Sequence, residues 1–166
     1  MFEVGEYVVC GSKGVCVVEN ITTLDIAGVD KERKYYILKP IYQTGSTVYV
    51  PVDSPKDSLR RVMERRDAQK LIEAIPDVPL LVIANDKLTE QTYKESLKSG
   101  NCEEWVRIIK TIWWRKQQRL QAGRKMTALD AKYFHMAEES LYGELAVALD
   151  LNRDAVAEYI VEKIEK

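Results

Sequence analysis

At Pro51 the hydrophobic period of this 166-residue chain changes, and that change limits the possible folds more than any other feature. Before it, residues 4–50 carry short runs rich in β-branched and aromatic side chains, broken by turn residues, which is the pattern of strands. Beyond it, apolar residues recur three and four apart, which is the pattern of helices. The chain is therefore expected to be α+β with two domains, a strand domain over residues 1–52 and a helical domain over residues 53–166.

Turn residues divide the strand region. VGEYVVCG and VCVVENIT flank Gly11, Ser12, Lys13 and Gly14, a spacing that predicts a hairpin. KYYILKPIY and STVYVPVD follow, with Gly28 ending the segment before them and Gly45 in the turn between them. Four or five short strands in so few residues cannot hide both faces as a flat sheet, so they are expected to curl into a small Tudor- or SH3-like β barrel.

In the helical region, Asp53, Ser54 and Pro55 supply capping and first-turn residues, and Leu59, Val62 and Met63 begin an apolar stripe. DAQKLIEAI predicts a short helix ended near Pro76, and Pro76 with Pro79 makes IPDVPLL a turn or hinge, so residues 53–80 form a linker helix and hinge. Four further helices are expected over about residues 87–98, 102–121, 128–149 and 153–164, with Ser99, Gly100 and Asn101 stopping one and capping the next.

The formal net charge of −1 conceals a local imbalance. Seven lysines and arginines fall within residues 107–125 without one acidic residue, and Trp113 and Trp114 sit among them. On a helical wheel, Trp105, Ile108, Ile109, Ile112 and Trp113 share one side and are expected in the core. Trp114 falls about 180° from Trp105, beside Arg107 and Lys110. An exposed indole among cations suits nucleic acid, because the ring stacks on bases while lysine and arginine neutralise phosphates. A basic helix face is also commonly just solvated, and an indole opposite the main stripe often packs on a second neighbour.

Catalytic and metal chemistry is not expected. His135 lies in an apolar pattern away from any serine or cysteine in a nucleophile context and reads as structural. Cys10, Cys16 and Cys102 lack metal-type clustering, and zinc at Cys10 and Cys16 would need two further ligands. Gly11 and Gly14 are explained by the hairpin turn, not by a phosphate loop, and the adjacent pairs Glu103, Glu104 and Glu138, Glu139 point in different directions on exposed helix positions. Nothing at the start of the sequence resembles a signal peptide, and no run is long and apolar enough to span a bilayer. The expectation is a cytoplasmic, non-enzymatic binding protein without cofactor, metal, membrane or small-molecule substrate.

Several motifs together resemble one family. FEVGEYVVCGSKGVCVVENI, KYYILKPI, VYVPVD, SGN, IIKTIWWRKQQR and LYGELAVAL are similar, in order and near-spacing, to motifs of the CarD-like family of bacterial transcription regulators. The resemblance implies a Tudor-like domain that binds the RNA polymerase β subunit. It also implies a helical domain that stabilises the promoter open complex through DNA contacts that do not read sequence. Carried over, the polymerase-binding residues are Leu24, Thr47, Val48, Tyr49, Val50 and Pro51, with the strand at 46–50 extending a partner's sheet and Pro51 ending the pairing. The DNA-binding residues are Lys87, Arg107, Lys110, Trp114, Arg115, Lys116, Arg119, Arg124 and Lys125. The chain departs from its relatives in three places. Asn85, Asp86, Lys87 and Leu88 stand where many carry a wedge tryptophan followed by arginines; Leu24 and Tyr49 stand where relatives use arginine; and a few extra residues fall between Arg124 and Phe134. A protein adaptor that holds polymerase or another partner without touching DNA is the alternative.

Overall fold

The computed structural model describes residues 2–28, 31–42, 45–53 and 59–165. The chain divides into two compact units, Met1–Val62 and Met63–Lys166.

The first unit is a five-stranded sheet in which every neighbouring pair is antiparallel. Its strands are β1 (Tyr7–Cys10), β2 (Gly14–Thr23), β3 (Lys34–Pro40), β4 (Val48–Pro51) and β5 (Leu59–Arg61), in the order β4-β3-β2-β1-β5. The expected hairpin joins β1 to β2 through a 3-10 turn over Gly11–Lys13, and Gly14 leaves that turn at φ +74°, a conformation that costs glycine little. A β-bulge between Val18 and Asn20 shifts the β2–β3 register, so Ile21 as well as Val18 reaches the core face.

Val8, Cys16, Val18, Tyr36, Leu38 and Val50 form that core, with Phe2, Val52 and Leu59 packed against it. The Phe2 ring meets Tyr36 edge-on at 5.7 Å, and the Phe2 amide donates to the Tyr36 hydroxyl at 3.1 Å.

Two expectations change here. The barrel is not closed: β4 pairs only with β3, β5 only with β1, and no ladder joins the two among the described residues. So small a core is covered by Phe2 and Val52 from outside the strands, without closure of the sheet. The stripe expected to open a helix at Leu59 is instead β5, whose residues pair with Val8, Val9 and Cys10. Of the expected helix cap, Ser54 and Pro55 lie outside the described residues, and Asp53 accepts from Arg33 Nε at 2.9 Å.

The second unit is helical: α1 (Arg65–Ala74), α2 (Thr89–Lys98), α3 (Cys102–Gln121), α4 (Ala128–Leu149) and α5 (Val156–Glu165). Its start signals are polar caps: Asn101 Oδ1 accepts the Glu103 amide at 2.9 Å, and Thr127 Oγ1 accepts the Asp130 amide at 3.1 Å. Between α1 and α2, Ile75–Asp77 forms a single 3-10 turn, after which the chain runs irregularly to a second one at Asp86–Leu88. Trp105, Ile108 and Ile112 are fully buried with Tyr93, Ile72 and Leu145, and Trp105 Nε1 donates to the Leu97 carbonyl at 3.1 Å.

Trp113, expected in that core, is 56% exposed. Cys102 and Val106 lie on its side of α3 and are buried, while Trp113 and Leu120, one and two heptads beyond Val106, are exposed. Helix α3 outruns its cover on that side.

Candidate functional site

Of the two edges of the sheet, β4 and β5, the β4 edge carries the residues expected to recognise a partner. Val48 and Val50 of β4 turn toward the core, Val50 being 5% exposed, and Tyr49 between them turns away at 48% exposed. Lys34 accepts the Val52 amide at 3.0 Å, and Tyr36 is opposite Val50 and Leu38 opposite Val48. Because inward- and outward-pointing backbone groups alternate along an antiparallel pair, the Tyr49 amide and carbonyl point away from β3. Pro51 follows in the same outward phase and has no N–H, so the free edge stops there. Thr47 is exposed at the entry to β4, and Leu24 is half-buried just past β2. Of the six residues carried over for this surface, Thr47 to Pro51 thus share one edge, and Leu24 lies apart in the chain.

The basic face of α3 is more divided than its composition suggests. Arg107 donates Nη1 to Glu104 Oε1 at 2.9 Å and reaches the carbonyls of Pro79 and Leu80, each at 3.3 Å. Lys110 Nζ donates to the carbonyls of Ile75, Pro76 and Val78 at 2.8, 3.2 and 2.6 Å. It is the hydrogen-bond hub of the segment after α1, sharing the Ile75 carbonyl with the Val78 amide, which donates to it at 3.2 Å. Arg115 Nε donates to Asp130 Oδ2 at 2.9 Å, and Arg119 Nε to the Lys125 carbonyl at 2.7 Å. Lys87, Lys116, Arg124 and Lys125 extend exposed side chains without a hydrogen bond or ion pair among the described residues. Trp114 is 50% exposed.

These residues meet at a cleft. An open hollow of about 580 Å³ is bounded by Trp114, Arg115, Gln118 and Arg119 of α3, by Leu129 of α4, and by Asp86 of the turn before α2. Asp86, in the segment Asn85–Leu88, thus borders the same hollow as Trp114.

Two buried carboxylates escaped sequence reasoning. Asp130 accepts the Tyr93 hydroxyl on Oδ1 at 2.9 Å and Arg115 on Oδ2. Burial first, and then the bond to Asp130, push the Tyr93 hydroxyl pKa upward. Glu144 accepts the Cys102 thiol at 2.9 Å and the Met63 amide at 3.0 Å. Thr127 three residues before Asp130 was a usable signal, because a cap residue at that spacing places the acid in a first turn. Nothing in LYGELAVAL marks Glu144 as internal, since its partners come from distant segments.

His135, expected to be structural, has an exposed side chain, and its Nε2 lies 3.1 Å from Glu139 Oε1 one turn on. Cys10 pairs with Gly14 and Cys16 with Val8, so the two cysteines sit diagonally across the hairpin. Burial pushes the Cys16 thiol up to about 12. Among the described residues no helix is long and apolar enough to cross a membrane.

Residues 2–63 match the family model described as the CarD-like/TRCF RID domain. A domain of this type is a protein-interaction module for the RNA polymerase β subunit and not a catalytic one. The match ends within one residue of the boundary between the two compact units. Over those residues, which carry the β4-β3-β2-β1-β5 sheet, the chain is similar to the CarD-like/TRCF RID domain.

Proposed function

We propose that this protein is a non-enzymatic regulator of bacterial transcription, acting in the cytoplasm. The edge of β4 (Thr47 to Pro51), together with Leu24, binds the RNA polymerase β subunit, and α3 lays cations and an indole on promoter DNA to stabilise the open complex. The observation that carries the reading is the outward Tyr49 amide and carbonyl, on a strand with no second neighbour among the described residues, within a domain of polymerase-interacting type. An added strand would take its affinity from such main-chain groups and its selectivity from alternate side chains such as Tyr49. The compact unit Met1–Val62, ten residues longer than the strand domain expected over 1–52, serves as the interaction domain, and Met63–Lys166 as the helical domain.

The DNA half draws on Lys87, Trp114, Lys116, Arg124 and Lys125, which are exposed, and on Arg115 and Arg119, which are anchored through Nε and retain further donors. Arg107 and Lys110 give their heads to Glu104 and to backbone carbonyls, so their part in DNA binding is to shape α3 and add positive potential.

Contacts of this kind give binding that weakens steeply with salt and tolerates changes of sequence. The test is open-complex lifetime on a promoter with purified polymerase, comparing the chain with its Trp114→Ala, Lys116→Ala double variant. A lifetime shortened toward that of polymerase alone supports the reading, and an unchanged lifetime refutes the DNA role.

The internal pairing of Arg107, Lys110 and Arg115 favours a second reading, a polymerase adaptor that never touches DNA. Under that reading tryptophan fluorescence stays constant when duplex DNA is added at low salt.

A further inference from the structure

The hollow beside α3 has a shape that a groove-inserting side chain does not need. A wedge must project from a ridge, whereas Trp114 forms part of the wall of a cleft whose volume, about 580 Å³, lies in the range of small-ligand sites. In a duplex each base face is covered by its stacked neighbours, and only edges are offered in the grooves. An indole in a cleft wall can therefore stack on a base only after that base has left the helix.

The remaining walls fit the rest of a nucleotide. Arg115 and Arg119 are both clamped through Nε, to Asp130 at 2.9 Å and to the Lys125 carbonyl at 2.7 Å. Each guanidinium is thereby set in place while its terminal Nη groups keep no acceptor among the described residues. The charge of Arg115 is offset by Asp130; that of Arg119, held by a neutral carbonyl, is not. Asp86 bounds the cleft from the turn before α2 and repels phosphate, so an anionic group is favoured at Arg119. The Asp86 carboxylate also suits the N–H donors on the pairing edge of a base.

We infer that the Trp114 cleft receives one unpaired nucleotide, its base stacked on the indole, its pairing edge toward Asp86 and its phosphate on Arg119. The inference rests on the DNA reading above and makes it narrower, since it demands a preference for unpaired over paired DNA that surface cations alone do not create.

The experiment uses the full chain carrying Trp113→Phe, which leaves Trp114 and the buried Trp105 as the only indoles. A 12-nucleotide single strand and a fully paired hairpin containing it are titrated at low salt, with indole quenching and fluorescence anisotropy read together. The expected result is quenching by the single strand and affinity at least about tenfold above that for the hairpin, the scale of one stacked base. Trp114→Ala in the same background removes the preference, and Trp114→Phe restores most of it, with circular dichroism confirming the fold of each. Arg119→Gln weakens the single strand more than the hairpin. Equal or stronger binding of the hairpin, or a preference that survives Trp114→Ala, overturns the cleft inference and leaves the DNA reading standing. Absence of binding to either DNA overturns both.

Discussion

The sheet unit and the helical unit hold their proposed binding groups in different parts of the chemistry of the chain. On β4 the groups are main-chain: the outward amide and carbonyl of Tyr49, present whatever side chain stands there. On α3 they are side chains, and the fold has already claimed several. Arg107, Lys110 and Arg115 are spent partly on Glu104, on three carbonyls after α1 and on Asp130. A recognition edge made of backbone tolerates substitution and is destroyed by loss of pairing geometry. A face made of charged side chains depends on which cations the interior leaves over.

The largest expected effect tests whether the two units fail separately. Trp105→Ala removes a fully buried indole together with its bond to Leu97, and should destabilise the helical unit by about 3–5 kcal/mol. Thermal unfolding followed by near-UV circular dichroism reads that loss, and capture of polymerase by the sheet unit should survive it. Loss of capture would break the comparison.

Alkaline pH should sharpen it, because each unit buries its own weak acid. The Cys16 thiol is raised from 9.0 to about 12, so the folded sheet holds its proton more tightly than the unfolded chain does. The stability this brings is complete below pH 9 and is lost as pH climbs from 9 to 12. Cys16→Val should flatten that part of the stability curve of the sheet. In the helical unit the Tyr93 hydroxyl, also raised, acts in the same direction beginning above its ordinary value of 10.0. There Tyr93→Phe is the variant to compare.

Smaller, and aimed at the edge itself, is the contrast between Tyr49→Pro and Tyr49→Ala. Proline deletes an outward N–H without touching a β3–β4 bond and should weaken polymerase capture by about tenfold, the worth of one hydrogen bond. Alanine keeps that N–H and should cost only a few-fold. If alanine proves as damaging as proline, the edge works through its side chain and the contrast with α3 disappears. The smallest effect is Lys116→Ala, which should lower the slope of log affinity for DNA against log salt by about one. Lys110→Ala should change that slope much less and instead lower the stability of the helical unit, because Nζ binds carbonyls.

How much of this was legible follows from how local each cause is. The bounds of α3 and α4 could be read because Asn101 and Thr127 cap them and because Trp105, Ile108 and Ile112 repeat at helical spacing. The angle of Trp114 takes it off the main apolar stripe, and only the folded chain shows that no second neighbour covers it fully, since it is 50% exposed. Trp113 was misplaced because its angle does lie on the apolar side, and only the reach of the neighbouring helices decides where that side stops being covered. Leu59–Arg61 was read as helical because three residues cannot display a period, and their strand identity comes from β1, about fifty residues earlier in the chain.

What the sequence determined by itself was the order of the first four strands and of the five helices, the hairpin turn, the caps of α3 and α4 and the acid-free run on α3. These depend on neighbours within a few residues, through backbone preference, capping and periodicity. Tertiary structure alone decided that the sheet stays open with β4 at one edge, that Lys110 serves carbonyls 32 to 35 residues away, and that Asp130 and Glu144 lie inside. A charge or an edge acquires its role from whatever partner the folded chain brings within about 3 Å, and no local pattern encodes that distance.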